Sequence, residues 1–245
     1  MAEEVCSMSE FAASFKSVED AFFYLGFSSL NEIKERRLQI AAAAREPIDS
    51  PDEGYPFVVV ADVETNGGKG GQFVIQLAFV TLDDQLNEIS ATNEYVKLPD
   101  DNRYINPCSQ SVHKITLNKL DRDGKPASDV LDVFFKAVSS VRSRNGRVVF
   151  HNAAFDAKAI AFTAEKCGYT SPFPFTRHSC FCTMTSAKQR LNLKDSIGRT
   201  KAPSNKELHN ALVGPVPDET ALHDALADVR VTAASYAAGV RMGWW

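Results

Sequence analysis

Two carboxylates, Asp62 and Glu64, stand at the end of an apolar run in this 245-residue chain. The run over residues 57–64 has the length and β-branched composition of a buried strand, and side chains two positions apart on a strand point the same way. The two carboxylates would therefore lie side by side and repel each other. A divalent cation relieves such repulsion, and oxygen-only ligands favour Mg²⁺ or Mn²⁺. The alternative is a strand whose acidic end is simply solvated.

A second acidic position follows another predicted strand. Asn152 and Asp156 come directly after the apolar residues 147–150, where a strand gives way to a helix. Ligand-binding groups in α/β proteins commonly occupy such positions. Asp156 is therefore a candidate third metal ligand, and the alternative is that it only caps or begins the helix.

The third position combines an imidazole with a carboxylate. His223 and Asp228 are five residues apart, which is about 140° around a helix, so they would not share a helical face. They converge if His223 precedes the helix, Asp224 caps it and Asp228 lies on its second turn. An inward carboxylate among Ala and Val residues is costly without a cation, and an imidazole is suited to general-base work. A surface histidine on a loop is the alternative for His223.

Taken in order, these motifs resemble the signature of the DEDDh 3′–5′ exonucleases, which have a ribonuclease H-like fold. The resemblance rests on Asp62-x-Glu64, Asn152-x-x-Phe155-Asp156 and His223-x₄-Asp228. Subsidiary matches are Thr65-Asn66-Gly67 and the Val-His-Lys-Ile-Thr run over residues 112–116, similar to a His-Gly-Ile-Thr-like element. Within the family, ribonuclease T-type enzymes look most similar, through the Pro-Phe-rich run at 171–175, the helix start at 183 and the terminal Gly-Trp-Trp. Lys114, where glycine is expected, leaves the natural substrate open.

The resemblance implies a mechanism and a site. Asp62, Glu64, Asp156 and Asp228 would hold two Mg²⁺ or Mn²⁺ ions about 4 Å apart around the scissile phosphate. His223 would deprotonate the attacking water, and nucleoside 5′-monophosphates would leave single-stranded RNA or DNA 3′ ends.

The resemblance also implies substrate contacts. Thr65, Asn66 and Asn152 would hold the terminal nucleotide, and Phe155 and Phe73 would stack on its base. Core packing is the alternative for Phe73 and Phe155, and likewise for Phe173 and Phe175.

The elements that must position these residues are of the α/β type. Strands are predicted over 57–64, 73–80, 94–98 and 147–150, and residues 99–126 are expected to be irregular. Helices are predicted over 130–141, 156–166, 183–191 and 205–212, followed by an Ala-rich helical region from 218 to about 239. Hairpin strands followed by alternating helices and strands indicate a mixed sheet flanked by helices. The exonuclease domain is expected over residues 55–242.

Residues 1–50 form a different segment, predicted to be a helical appendage that ends in a linker rich in Pro. It could mediate a homodimer or recruit a protein partner. The alternative function is accordingly a proofreading or partner-recruited nucleic-acid-binding module that docks through this appendage. A metal-dependent phosphatase would fit the carboxylates but not the His-x₄-Asp element.

Composition narrows the class of protein further. The net charge of −4 argues against a broad basic surface for long duplex DNA. The five cysteines lack the spacing of zinc ligands, which predicts a reduced, cytoplasmic protein. No apolar run approaches the roughly 20 residues of a membrane span, and the N-terminus lacks the basic start of a signal peptide. The sequence therefore predicts no membrane association.

Overall fold

The computed structural model describes residues 55–67, 72–169, 179–217 and 223–245. The predicted appendage over residues 1–50 lies outside the described residues, as do Phe173 and Phe175. The appendage, the domain limits and a dimer or partner contact therefore stay predictions. None of the helices in the described ranges combines the length and the apolar composition that crossing a membrane requires.

The centre of the fold is a five-stranded mixed sheet in the order β3-β2-β1-β4-β5. Its strands are β1 (Val58–Thr65), β2 (Val74–Leu82), β3 (Glu88–Tyr95), β4 (Arg147–Phe150) and β5 (Phe181–Cys182). β1 pairs antiparallel with β2, which pairs antiparallel with β3, whereas β1, β4 and β5 run parallel. In the β1–β2 register Glu64 faces Gln76, and Val58 faces Leu82 at the opposite end of the sheet.

Seven α-helices accompany the sheet in the described residues. They are α1 (Pro107–His113), α2 (Leu117–Asp123), α3 (Ala127–Ser143), α4 (Ala153–Lys166), α5 (Thr183–Leu191), α6 (Asn205–Leu212) and α7 (Ala225–Arg241), with a 3₁₀ turn at Asp100–Asn102. The predicted mixed sheet flanked by helices is confirmed.

Strand β1 separates two apolar cores. Val59, Ala61 and Val63 pack in one cluster with residues of α3 and α4. Val58 and Val60 pack in the other with residues of α7. Because side chains alternate along a strand, the even-numbered Asp62 and Glu64 belong to the side of the sheet that α7 covers.

Two sequence predictions of secondary structure are wrong in detail. Residues 99–126 are not irregular throughout, since they contain α1 and α2, which begin at the side-chain caps Asn106 and Thr116. The third strand spans Glu88–Tyr95 and not 94–98, and most of its residues are exposed. An exposed edge strand has no apolar run that would reveal its bounds in the sequence.

Candidate active site

Three of the predicted carboxylates come together at one place. Each of Asp62, Glu64 and Asp228 offers an oxygen atom, and these atoms all lie within 4.8 Å of one another. The strand alternation of β1 aims the first two residues toward α7, and the first turn of α7 supplies Asp228. All three side chains are half-buried. The sequence prediction that these residues converge agrees with this geometry.

The fourth carboxylate, Asp156, reaches the site from α4 and is only 2% exposed. β4 pairs with β1 only as far as Val60, so the edge of β1 beyond that point has no neighbouring strand on that side. There the backbone N–H of Val63 donates to Asp156 Oδ1 at 3.3 Å. The Asp156 carboxylate thus replaces a strand partner and lies beside Asp62, although it is not one of the three residues within 4.8 Å.

Burial and mutual repulsion disturb the ionisation of this cluster. Burial, then the charges of Asp156 and Asp228, raise the pKa of Asp62 well above its ordinary value. Burial and the charges of Asp228 and Asp156 raise the pKa of Glu64 to about 8. Burial also raises the pKa of Asp156 to about 8, against the opposing effect of the backbone N–H groups that it accepts. These groups are therefore held in the charged form only at a cost in free energy.

The pKa of Asp228 is raised by burial, while the backbone N–H of His223 and the charge of its nearby ring act to lower it. Among the described residues, no Lys or Arg forms a salt bridge with any of the four carboxylates. An all-oxygen donor set with uncompensated negative charge is the chemistry that hard divalent cations such as Mg²⁺ or Mn²⁺ satisfy. The residues present therefore fit a metal centre.

His223 lies where the sequence argument requires it, on the turn before α7. Asp224 caps the helix through Oδ1, which accepts the backbone N–H groups of Leu226 at 3.1 Å and Ala227 at 3.4 Å. The backbone of His223 is left-handed, with φ of +73°, and its N–H donates to Asp228 Oδ2 at 2.9 Å. Its side chain is exposed. Asp228 lies on the first turn of α7, one turn earlier than predicted.

Two of the predicted substrate contacts, Asn66 and Phe73, have side chains that the fold already uses. The Asn66 side chain is fully buried: its Nδ2 donates to the Tyr104 carbonyl at 3.1 Å, and its Oδ1 accepts the Phe73 N–H at 2.9 Å. Phe73 is 2% exposed within the core, which leaves its ring no free face for a base. Asn66 therefore fixes the loop after β1, and Phe73 is a core residue.

The remaining predicted contacts are compatible with the geometry. Asn152 is exposed at the start of α4, and its side chain makes no capping hydrogen bond. Phe155 is half-buried against the core. The Thr65 side chain is buried, so only its backbone could meet a substrate. Both ring nitrogens of the half-buried His151 have partners, Thr183 Oγ1 at 3.0 Å and the Pro203 carbonyl at 3.1 Å.

Sequence reasoning missed Gln76, the buried residue of β2 that faces Glu64. Its Nε2 donates to Asp224 Oδ2 and to Asn93 Oδ1, both at 2.9 Å. Gln76 thus ties β2 and β3 to the residue that caps α7, the helix that carries Asp228. The available signal was a single amide within the otherwise apolar run 73–80.

Replacing Gln76 with Leu is expected to lower kcat by about tenfold and stability by about 1–3 kcal/mol, because Asp224 Oδ2 loses its donor and the start of α7 loses its hydrogen bond to β2. Steady-state kinetics and denaturant unfolding measure the two effects. The matched control is Asn93→Ala, which removes the β3 contact but keeps the Gln76–Asp224 hydrogen bond, and it should retain nearly full kcat. Equal kcat in the two variants, measured where both are folded, would exclude a positioning role for Gln76.

The raised pKa values also predict how stability depends on pH. Glu64 and Asp156, with a pKa of about 8 in the folded chain, hold protons there that the unfolded chain releases above about pH 4. The metal-free protein should therefore be destabilised by these groups as the pH rises from about 4 to about 8, and Mg²⁺ or Mn²⁺ should reverse the loss at the high-pH end.

Melting temperatures in EDTA at pH 5 and pH 8 test this expectation. Burial lowers the pKa of His113 and of His151. These two histidines therefore make the folded protein more stable as the pH rises through neutrality, which opposes the effect of the carboxylates. The Glu64→Gln variant isolates the acidic cluster because both histidines are unchanged in it. Its stability advantage over the wild type should grow from pH 5 to pH 8, and a constant or shrinking advantage would contradict the prediction.

Comparisons with known proteins agree with this geometry. Residues 59–236 match the RNase T family model, whose description is exonuclease. No curated protein matches the sequence significantly. Among solved structures, Exonuclease I from Methylocaldum szegediense is 20% identical with a TM-score of 0.59, over 75% of this chain and 40% of that chain. E. coli Exonuclease I with a dA16 oligonucleotide is 17% identical with a TM-score of 0.58, over the same shares of the two chains.

A third structure, of a 3′-exonuclease that recognises a histone mRNA stem-loop, is 15% identical with a TM-score of 0.59, over 78% of this chain and 84% of that chain. These TM-scores establish a shared fold, which is the ribonuclease H-like exonuclease fold. The chain spans about two fifths of the length of the Exonuclease I structures. The family match, by contrast, covers most of the chain. The chain therefore belongs to the RNase T family of exonucleases, which confirms the resemblance to DEDDh-type 3′–5′ exonucleases.

Proposed function

We propose that this chain is a 3′–5′ exonuclease that uses two Mg²⁺ or Mn²⁺ ions and releases nucleoside 5′-monophosphates from single-stranded RNA or DNA. The observation that carries the proposal is the convergence of Asp62, Glu64 and Asp228 within 4.8 Å, with buried Asp156 beside them. The exonuclease family match supports phosphodiester hydrolysis. The nucleic acids named for two of the solved relatives support a polynucleotide substrate.

The four carboxylates would hold the metal ions. When bound, the ions supply the positive charge that stabilises the phosphoryl transition state and makes a water easier to deprotonate. The charges of Asp156, Asp228 and Glu64 all act on Asp62, so Asp62 would be a central ligand of the metal centre.

His223 supplies the general base in this proposal. Its ring is exposed and lies near Asp228, so it can accept a proton from the attacking water and return that proton to solvent. The water oxygen forms a bond to phosphorus while the bond from phosphorus to the 3′ oxygen of the preceding nucleotide breaks. The terminal residue leaves as a 5′-monophosphate, and the 3′ oxygen of the shortened strand takes a proton from solvent to become a hydroxyl. Asn152 and Phe155 are proposed to contact the terminal nucleotide.

Incubation with 3′- and 5′-labelled single-stranded RNA and DNA tests the proposal. With Mg²⁺ or Mn²⁺ we expect mononucleotides from the 3′ label at the earliest times and a ladder of shortened 5′-labelled products. EDTA should stop the reaction, and added Mn²⁺ should restore it. Internal cleavage products, or release that begins at the 5′ end, would refute the proposed polarity. An inactive binding module recruited through residues 1–50 is less well supported, because all four carboxylates and His223 are present.

A further inference from the structure

The chain concentrates positive charge in one described segment. Residues 188–206, the basic segment, contain six Lys or Arg residues and one acidic residue, whereas the whole chain has a net charge of −4. The segment comprises the last turn of α5, the loop that follows it and the start of α6. Its cations are Lys188, Arg190, Lys194, Arg199, Lys201 and Lys206.

The basic segment returns to the candidate active site. The carbonyl of Pro203 lies 3.1 Å from His151 Nε2, directly before Asn152. The Asn205 side chain donates to the backbone carbonyl of Asp228 at 3.0 Å. The α6 end of the segment is therefore hydrogen-bonded to His151, which precedes Asn152, and to the backbone of Asp228. These positions adjoin the second motif and belong to the third motif of the candidate site.

The other end of the segment extends away from the site. α5 begins beside the end of β4, where the Met184 N–H donates to the His151 carbonyl at 3.2 Å. The helix has nine residues and so runs outward for about 13 Å. The loop then turns back around Asp195, whose carboxylate accepts the N–H groups of Ile197 and Arg199. The basic segment is therefore separated from the His151 contact by the first turns of α5, and it returns to the site at the start of α6.

Two of these cations, Lys188 and Lys194, have no acidic partner in the part of the chain that the structure describes. Neither Lys188 nor Lys194 forms a salt bridge within the described residues, and Lys194 Nζ contacts only the neutral Asn192 and Thr200 side chains. Arg199 pairs with Asp195, but the Arg199 side chain is 75% exposed. An exposed pair of this kind contributes little to stability, so its cation can exchange its carboxylate for a phosphate.

We infer that the basic segment binds the phosphodiester backbone of the single-stranded substrate, upstream of the 3′ nucleotide in the active site. The inference rests on the proposed function and adds the surface that holds the rest of the strand. The carboxylate cluster itself repels a polyanion, so attraction must come from elsewhere on the chain. Flexible lysine side chains suit a single strand, whose phosphates have no fixed spacing.

Two substrates of different length separate this surface from the active site. A p-nitrophenyl ester of thymidine 5′-monophosphate occupies only the active site, whereas a 20-nucleotide single strand also reaches the basic segment. The test variant is Lys188→Ala/Lys194→Ala. The control is Lys136→Ala/Arg241→Ala, which removes two exposed cations, one beside Thr81 and one on the last turn of α7, far from the site.

For the test variant, kcat/KM on the ester should stay within about twofold of the wild type, while kcat/KM on the 20-mer should fall roughly tenfold at low salt. The slope of log affinity against log salt should decrease in magnitude by about 1.4, at roughly 0.7 for each phosphate that the variant no longer neutralises. The control should match the wild type on both substrates. Unchanged cleavage of the 20-mer, or an equal loss on both substrates, would overturn the inference.

The fluorescence anisotropy of a labelled 20-mer in EDTA measures binding of the strand in the absence of catalysis. Weaker binding by Lys188→Ala/Lys194→Ala than by the control supports the inference even if the wild type cleaves neither substrate, an outcome that would refute only the proposed function. Equal binding by the two variants overturns the inference. A 20-base-pair blunt duplex provides the competitor, and preferential binding of the duplex would also overturn the assignment to single strands.

Discussion

Replacement of Asp62 with Asn is expected to reduce nucleotide release by at least about 10³-fold and, at the same time, to make the metal-free protein more stable. The side chain keeps its shape but loses the charge that would hold the metal ions. It also loses the charge that burial, Asp156 and Asp228 make unfavourable, as the raised pKa of Asp62 indicates. We expect a gain in unfolding free energy of about 1–3 kcal/mol at pH 8 in EDTA, and little gain at pH 5.

Asp83→Asn is the matched control for this substitution. Asp83 accepts the N–H groups of Gln85 and Asn87 in the turn between β2 and β3, and these hydrogen bonds lower its pKa. This turn lies at the end of the sheet opposite the carboxylates. The Asp83 variant should therefore keep full activity and gain no stability. If Asp62→Asn destabilised the metal-free chain, the interpretation of the four carboxylates as a repulsive cluster would be wrong.

Replacement of His223 with Ala is expected to lower kcat by about two to four orders of magnitude while metal affinity and the fold are retained. The imidazole is the only part of His223 that the proposed proton transfer uses, because its backbone N–H already donates to Asp228. Single-turnover release of mononucleotides measures the chemical step, and calorimetric titration with Mn²⁺ measures metal binding.

His223→Asn controls for the backbone in this experiment. Residue 223 has a left-handed backbone, with φ of +73°, which Asn adopts more readily than Ala. If the loss in His223→Ala came from a displaced turn, His223→Asn would recover much of the activity. Equal loss in both variants, with unchanged Mn²⁺ affinity, indicates a missing base. Wild-type rates in either variant would remove His223 from the mechanism.

Much of the site could be predicted because its residues obey local rules. The alternation of β1 places Asp62 and Glu64 on one side, and the helix cap at Asp224 explains how His223 and Asp228 converge. These inferences need only the period of a strand and the position of a helix start. The role of Asn66 could not be obtained in this way, and the sequence left core packing and base stacking open for Phe73. The role of each residue depends on the path of the loop after β1, and that path is fixed by contacts with Tyr104, which is distant in sequence.

The same limit explains other differences. The caps at Asn106 and Thr116 begin helices of only seven residues, too short for a clear apolar period. β3 carries mostly exposed side chains, so hydrophobicity does not reveal its bounds. Gln76 resembles an isolated polar residue in the sequence because its partners, Asn93 and Asp224, are distant along the chain. The role of Gln76 thus depends on hydrogen bonds between residues that are distant in sequence, which local sequence patterns do not reveal.

The early end of β4 has a consequence for the rigidity of the site. Since β4 leaves β1 after Val60, the N–H of Val63 is available to Asp156. The fourth carboxylate is thereby anchored to the backbone of the central strand and not to a surface loop. Motion of the surrounding loops should therefore leave the distance between the Asp156 and Asp62 carboxylates almost unchanged. The four carboxylates would then be arranged for metal binding before any substrate arrives.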